Sequence, residues 1–90
     1  MYSISYTPNF KQDLKRLDRQ IAKRIIAKIE WLAEQSGQHG EPLHNMPGHL
    51  RGLQKYRVGD WRILFWVNEN KMEIILYGVE HRNSVYKNLF

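Results

Sequence analysis

The run Leu53-Gln54-Lys55-Tyr56-Arg57-Val58-Gly59-Asp60-Trp61-Arg62 constrains the fold more than any other part of the chain. Two stretches with strand-forming residues flank Gly59-Asp60. That pair suits a two-residue hairpin loop, because glycine accepts the positive φ such a loop needs. The register then pairs Val58 with Trp61, Arg57 with Arg62 and Lys55 with Leu64. Side chains alternate along a strand, so Lys55, Arg57 and Arg62 share one face, with Arg51 further along it. Tyr56, Val58, Trp61 and Ile63 take the other face and suit a core. Like charges directly opposite each other are unfavourable by up to ~1 kcal/mol. An anion between Arg57 and Arg62 reverses the sign, and phosphate matches the arginine fork well. The plainer reading is a solvated basic face that discourages edge-to-edge aggregation.

The rest of the chain supplies partners for this hairpin. Tyr2-Ser3-Ile4-Ser5-Tyr6 alternates apolar and polar residues and predicts a half-buried strand. Thr7-Pro8 reads as an N-cap followed by proline in the first helical position, with Phe10, Leu14 and Leu17 at helical spacing. Asp18 is a second N-cap. Behind it Ile21, Ile25, Ile29 and Leu32 form a stripe that Ala22, Ile26 and Ala33 widen, and Ser36-Gly37 is the expected stop. Residues 37–49, GQHGEPLHNMPGH, read as a loop, and residues 50–58 as a strand. WRILFWVN and Met72 to Val79 are two further strands. A turn centred on Glu69-Asn70 pairs Val67 with Met72, Phe65 with Ile74 and Arg62 with Tyr77. That register places Tyr77 beside Lys55, Arg57 and Arg62. The order is βααβββ plus a tail that forms a last helical turn. The predicted architecture is α+β: a small, mainly antiparallel sheet with two N-terminal helices packed on one face, one domain over residues 1–90.

Composition narrows the function. With 42% hydrophobic and 26% charged residues the chain is globular. No apolar run approaches the roughly 20 residues of a membrane span, and MYSISYTPNF lacks the basic and apolar regions of a signal peptide. There is no cysteine, which excludes disulfides and thiolate zinc sites and fits a reducing cytoplasm. The formal charge of +5 points to a polyanionic or acidic partner. His39, His44 and His49 recur every fifth residue, not at the i, i+4 spacing of a helical zinc motif, so no metal or other cofactor is expected. Phosphate-binding glycine motifs are absent, and carboxylates are too scattered for a two-metal nuclease.

After the last strand comes Glu80-His81-Arg82-Asn83-Ser84-Val85-Tyr86. His81 suits proton transfer, Arg82 suits a phosphate, and Tyr86 suits base stacking or hydroxyl donation. On residue chemistry alone, a tail that merely docks Val85 and Leu89 on the core is an equal reading.

The whole chain resembles the RelE/ParE superfamily of toxins from type II toxin–antitoxin pairs. RVGDWR followed by apolar residues carries the resemblance most specifically, and the HRxxVY tail second. For the RelE branch the resemblance implies a metal-independent mRNA interferase acting in the cytoplasm at the ribosome. There the 2′-hydroxyl attacks the scissile phosphate, leaving a 2′,3′-cyclic phosphate and a 5′-hydroxyl. By the same resemblance the catalytic set is Lys55, Arg62, His81 and Tyr86; Arg51, Arg57 and Tyr77, placed on the basic face by the register, and Arg82, by its charge, are the expected RNA-binding residues. Arg62 matches the arginine that binds the scissile phosphate, and Tyr86 the tail tyrosine. His81 and Arg82 both match the basic tail position. Some members carry a second lysine two residues before the Lys55 position; here it is Leu53, so no lysine pair shares the general-base task. A cognate antitoxin, the ribosome and mRNA are the implied partners, in a toxin–antitoxin hetero-oligomer. The alternatives are a ParE-like gyrase-inhibiting toxin and a non-catalytic RNA-binding domain of the same fold.

Overall fold

The computed structural model describes residues 1–35 and 40–81. Its elements are β1 (Ser3–Tyr6), α1 (Pro8–Lys15), α2 (Arg19–Glu34), β2 (Glu41–Pro42), β3 (Gln54–Val58), β4 (Trp61–Asn68) and β5 (Glu73–His81). The five strands form one sheet in the order β1-β5-β4-β3-β2. All neighbours are antiparallel except β1, which runs parallel to β5. This is the predicted α+β architecture, with one short strand, β2, that the sequence reading placed in a loop. Neither helix is long and apolar enough to cross a membrane.

Both helices start where their caps predict. The Thr7 hydroxyl accepts from the Phe10 amide at 3.2 Å with Pro8 in the first turn, and the Asp18 carboxylate accepts from the Gln20 amide at 3.2 Å. Each cap satisfies an amide that the helix leaves without an internal partner. The stripe of α2 buries Ile25, Ile29, Leu32 and Ala33. These pack with Phe10, Val58, Ile63, Phe65, Ile74, Leu76 and Val79 in the main core between helices and sheet.

The opposite face of the sheet is not open throughout. Residues 43–53 fold across it and bury Leu43, Leu50, Leu53 and Leu64 in a second, smaller core, with Met46, Trp66 and Tyr77 packed against it. The strand expected from residue 50 therefore starts only at Gln54. Gly48–Leu50 make a 3₁₀ turn, and Gly52, at φ 86°, turns the chain into β3.

The β3–β4 hairpin has the predicted register: Val58 opposite Trp61, Arg57 opposite Arg62, Lys55 opposite Leu64. Gly59 has φ 62°, and Asp60 does not share a positive φ, which is the type II′ pattern. The β4–β5 register differs from the expectation. Asn68 pairs with Glu73 and Val67 with Ile74, because the connecting loop is residues 69–72, centred one residue later than Glu69-Asn70. A bulge at Leu64/Phe65 then adds one residue to β5, so Arg62 lies opposite Glu80, not Tyr77.

Helix α1 sits over this bulge and takes up its backbone groups. Asn9 Nδ2 donates to the Tyr77 carbonyl at 2.8 Å, and the Thr7 hydroxyl lies 2.7 Å from the Leu76 carbonyl oxygen. The Val79 amide donates to Asp13 Oδ2 at 3.0 Å. Gly78 makes room for this. A Cβ there would lie 2.7 Å from Asp13 Oδ2 and 2.9 Å from Asn9 Nδ2.

Candidate nucleic-acid interface

Three cations of the hairpin share the face of the sheet that points away from the helices. Tyr56, Val58, Trp61 and Ile63 belong to the main core, so strand alternation sends Lys55, Arg57 and Arg62 the other way. Leu64, in the second core, marks the same face. The face thus has two halves. Residues 43–53 cover one, and beside it the row Arg57–Arg62–Glu80 crosses β3, β4 and β5. Lys55 stands at the border, half-buried, opposite Leu64 on one side and Glu41 on the other.

The like-charge pair is moderated within the fold. Arg57 is exposed and its Nε donates to the Gly59 carbonyl at 3.0 Å, which turns the guanidinium toward the hairpin tip. Arg62 is half-buried, and the carboxylate-bearing residue Glu80 lies directly across from it on β5. Facing side chains in such a pair have Cβ atoms about 5 Å apart. The tip gains a further cation that sequence reading missed: Arg24 of α2 would meet a Cβ on Gly59 at 3.5 Å. No spacing in the sequence links a mid-helix residue to a distant turn, so only tertiary packing reveals it. Glu80 was also missed, because the expected register put Tyr77 in its place. Gly78 was the available signal, since a glycine inside a strand often marks a bulge.

Other expected site residues are distributed differently. Tyr77 is half-buried on the second core, its ring edge-on to Trp66 with centroids 5.3 Å apart. The bulge and the later loop carry it away from Arg62. Arg51 is not on the strand but follows the 3₁₀ turn, and its carbonyl accepts from Trp66 Nε1 at 3.1 Å. Trp66 is four positions along β4 from Arg62, roughly 13 Å along the strand. His81 pairs with Trp61 and meets its ring edge-on at 5.1 Å between centroids. Trp61 packs on the main core, so His81 is on the helix side of the sheet and Arg62 is on the other. The expectation of His81 working beside Arg62 is corrected by this alternation. Arg82 and Tyr86, with the expected tail helix and the Ser36-Gly37 helix stop, lie outside the described residues.

Comparison with known proteins bears on this arrangement. A family model described as ParE toxin of type II toxin–antitoxin system, parDE, matches residues 4–86. The chain belongs to the ParE toxin family. It is a type II toxin–antitoxin toxin of the RelE/ParE superfamily. Among curated proteins, Toxin RelE of Mycobacterium tuberculosis is 25% identical over 87 residues, covering 96% of this chain and 87% of that protein. Toxin RelG of the same organism is 24% identical over 90 residues, covering 96% and 97%. Among solved structures, the toxin–antitoxin complex RelBE2 from M. tuberculosis matches with a TM-score of 0.76 at 23% identity, covering 90% of this chain and 91% of that one. The isolated E. coli RelE toxin matches at 0.72 and 16% identity, covering 98% and 94%. These structural likenesses are of fold, and they agree with the two-helix, five-strand arrangement of this ParE-family chain.

Proposed function

We propose that this toxin is a metal-independent, ribosome-dependent endoribonuclease that cleaves mRNA by attack of a 2′-hydroxyl on the adjacent phosphate. The observation that carries the reading is the group Lys55, Arg57 and Arg62 on one partly open sheet face, with two arginines directly opposed. Arg62 holds the scissile phosphate and stabilises the charge of the phosphorane, which is where preorganised donors contribute most. Lys55, the diagonal neighbour of Arg62 across the β3–β4 ladder, protonates the leaving 5′-oxygen. Arg57, and Arg24 at the hairpin tip, bind the flanking backbone, while Arg51 binds it at the Trp66 end. Arg82 and Tyr86 are assigned to phosphate binding and base stacking by family resemblance. The names of the curated relatives, RelE and RelG, support this branch.

The name of the matching family, ParE, favours a second reading, a gyrase-inhibiting toxin with no nuclease chemistry. Induction in cells, with mapping of mRNA 5′ ends, separates the two. Cuts within translated codons support the endoribonuclease. DNA damage with intact mRNA supports the gyrase poison and rejects the endoribonuclease.

The antitoxin that silences the toxin is proposed to dock on the outer side of α2. There Ala22, Ile26 and Ala27 line a shallow groove of about 340 Å³ beside Arg19, Lys23 and Glu30. An amphipathic helix with acidic flanks matches both the apolar floor and the two cations. Solved relatives of this fold include complexes with RelB antitoxins.

A further inference from the structure

We propose that Glu80 accepts the proton of the attacking 2′-hydroxyl. The inference rests on the endoribonuclease reading and deepens it by supplying the general base. Leu53 is an apolar residue buried in the second core and offers no base, and His81 lies across the sheet beside Trp61. Glu80 is the residue directly opposite Arg62 on the same face. It sits between the helix-side residues Val79 and His81, and strand alternation turns it toward the cations. The bulge at Leu64/Phe65 brings it there, since an unbroken ladder would place Val79 opposite Arg62.

The chemistry follows from that row. The Cβ atoms of facing residues such as Arg62 and Glu80 lie about 5 Å apart, so a phosphate held by Arg62 presents its ribose to the neighbouring Glu80 carboxylate. The 2′-O–H bond breaks and its proton passes to the Glu80 carboxylate. The 2′-oxygen bonds to phosphorus, and the P–O5′ bond breaks with its electron pair on the 5′-oxygen. Lys55 gives that oxygen a proton. The products are a 2′,3′-cyclic phosphate and a 5′-hydroxyl, with no water or metal consumed. In the free toxin the same carboxylate moderates the Arg57–Arg62 repulsion, so one residue serves the fold and the reaction.

The test is single-turnover cleavage of mRNA on programmed ribosomes by the full chain freed from its antitoxin. General-base catalysis typically contributes about 10²- to 10⁴-fold. Glu80→Gln is therefore expected to slow cleavage at least about 100-fold while ribosome binding stays equal or tightens, because a negative charge is removed. Glu80→Asp recovers part of the rate. The wild-type rate falls on acidification as the carboxylate protonates, and Glu80→Gln loses that acid limb. A Glu80→Gln rate within a few-fold of wild type, or a loss explained wholly by weaker binding, overturns the assignment. Should the variant fold poorly, a wild-type rate that does not fall as the carboxylate protonates overturns it equally. A wild type that leaves ribosome-bound mRNA intact overturns the endoribonuclease reading and Glu80 with it. An active wild type with an unimpaired Glu80→Gln variant overturns Glu80 alone.

Discussion

Arg62 and His81 make opposite demands on experiment, because they stand on opposite faces of the same sheet. Arg62→Ala removes the central cation of the row. It is expected to cut single-turnover mRNA cleavage by about 10²- to 10³-fold, the usual cost of losing one transition-state donor. Its thermal midpoint should shift little, since the repulsion with Arg57 and the attraction of Glu80 are both removed. His81→Gln is expected to leave cleavage within a few-fold, because its ring packs on Trp61. A severe loss in His81→Gln with unchanged melting would restore histidine to the chemistry. Gly78 makes a structural demand of the same sharpness. Gly78→Ala must push aside Asp13 and Asn9, breaking hydrogen bonds to Val79 and Tyr77. A destabilisation of about 1–3 kcal/mol is expected, read as a lower denaturant midpoint. Placed in an Asp13→Ala background the same substitution should cost less, since one of the displaced partners is already gone. Equal costs in both backgrounds would mean that the clash is not with Asp13.

At the scale of elements, the readable parts of the sequence were those in which local chemistry decides. Thr7-Pro8 and Asp18 fixed two helix starts through bonds made within the first turn. Gly59-Asp60 fixed the first hairpin, because a two-residue loop leaves one register. The second hairpin was less legible. Its four-residue loop accommodates more than one centring, and the bulge depends on α1 side chains that no local pattern connects to β5. The error moved Tyr77 into the basic row and Glu80 out of it, so the three cations were legible and their acidic neighbour was not. The second core was hidden for a related reason. Leu50 and Leu53 lie at the head of the strand read over residues 50–58, on opposite faces of it, and Leu64 is apolar on a face that alternation alone would call polar. The join between β1 and the 69–72 loop has its own signature. The Tyr2 hydroxyl donates to Glu69 Oε2 at 2.6 Å. This bond, then burial, then the charge of Glu69 hold the phenol above its ordinary pKa of 10.0. A raised value favours the protonated, folded form. The contribution is complete below about pH 10 and is lost as pH rises through the folded value. Wild type should therefore lose stability more steeply than Tyr2→Phe above about pH 10, in chemical denaturation at stepped pH. Parallel curves would show that the bond contributes nothing to the pH dependence.

For the whole molecule, the sheet separates two surfaces to which the proposed function gives different tasks. The cations of β3 and β4 face away from the helices, whereas the groove on α2 is on the helical layer. RNA and antitoxin are thus not required to compete for the same side chains. On the proposed reading, neutralisation works by covering the surface that meets the ribosome or by reaching round to the basic row, and the net charge of +5 favours an acidic antitoxin at either. The separation can be tested by loading the groove while leaving the row alone. Ala27 is exposed, lies in the groove and is helical, so Ala27→Glu keeps a good helix former while adding bulk and negative charge. Antitoxin affinity should fall about tenfold or more, equivalent to about 1.4 kcal/mol, in titration with the protein encoded by the neighbouring gene. Ala27→Gln should lose less, because it adds the bulk without the charge. Cleavage of ribosome-bound mRNA should remain at the wild-type rate in both variants. Unchanged antitoxin affinity in Ala27→Glu would move the docking site off α2. Impaired cleavage in a well-folded Ala27→Glu would show that the helical layer also meets the ribosome, and that the two surfaces are not independent.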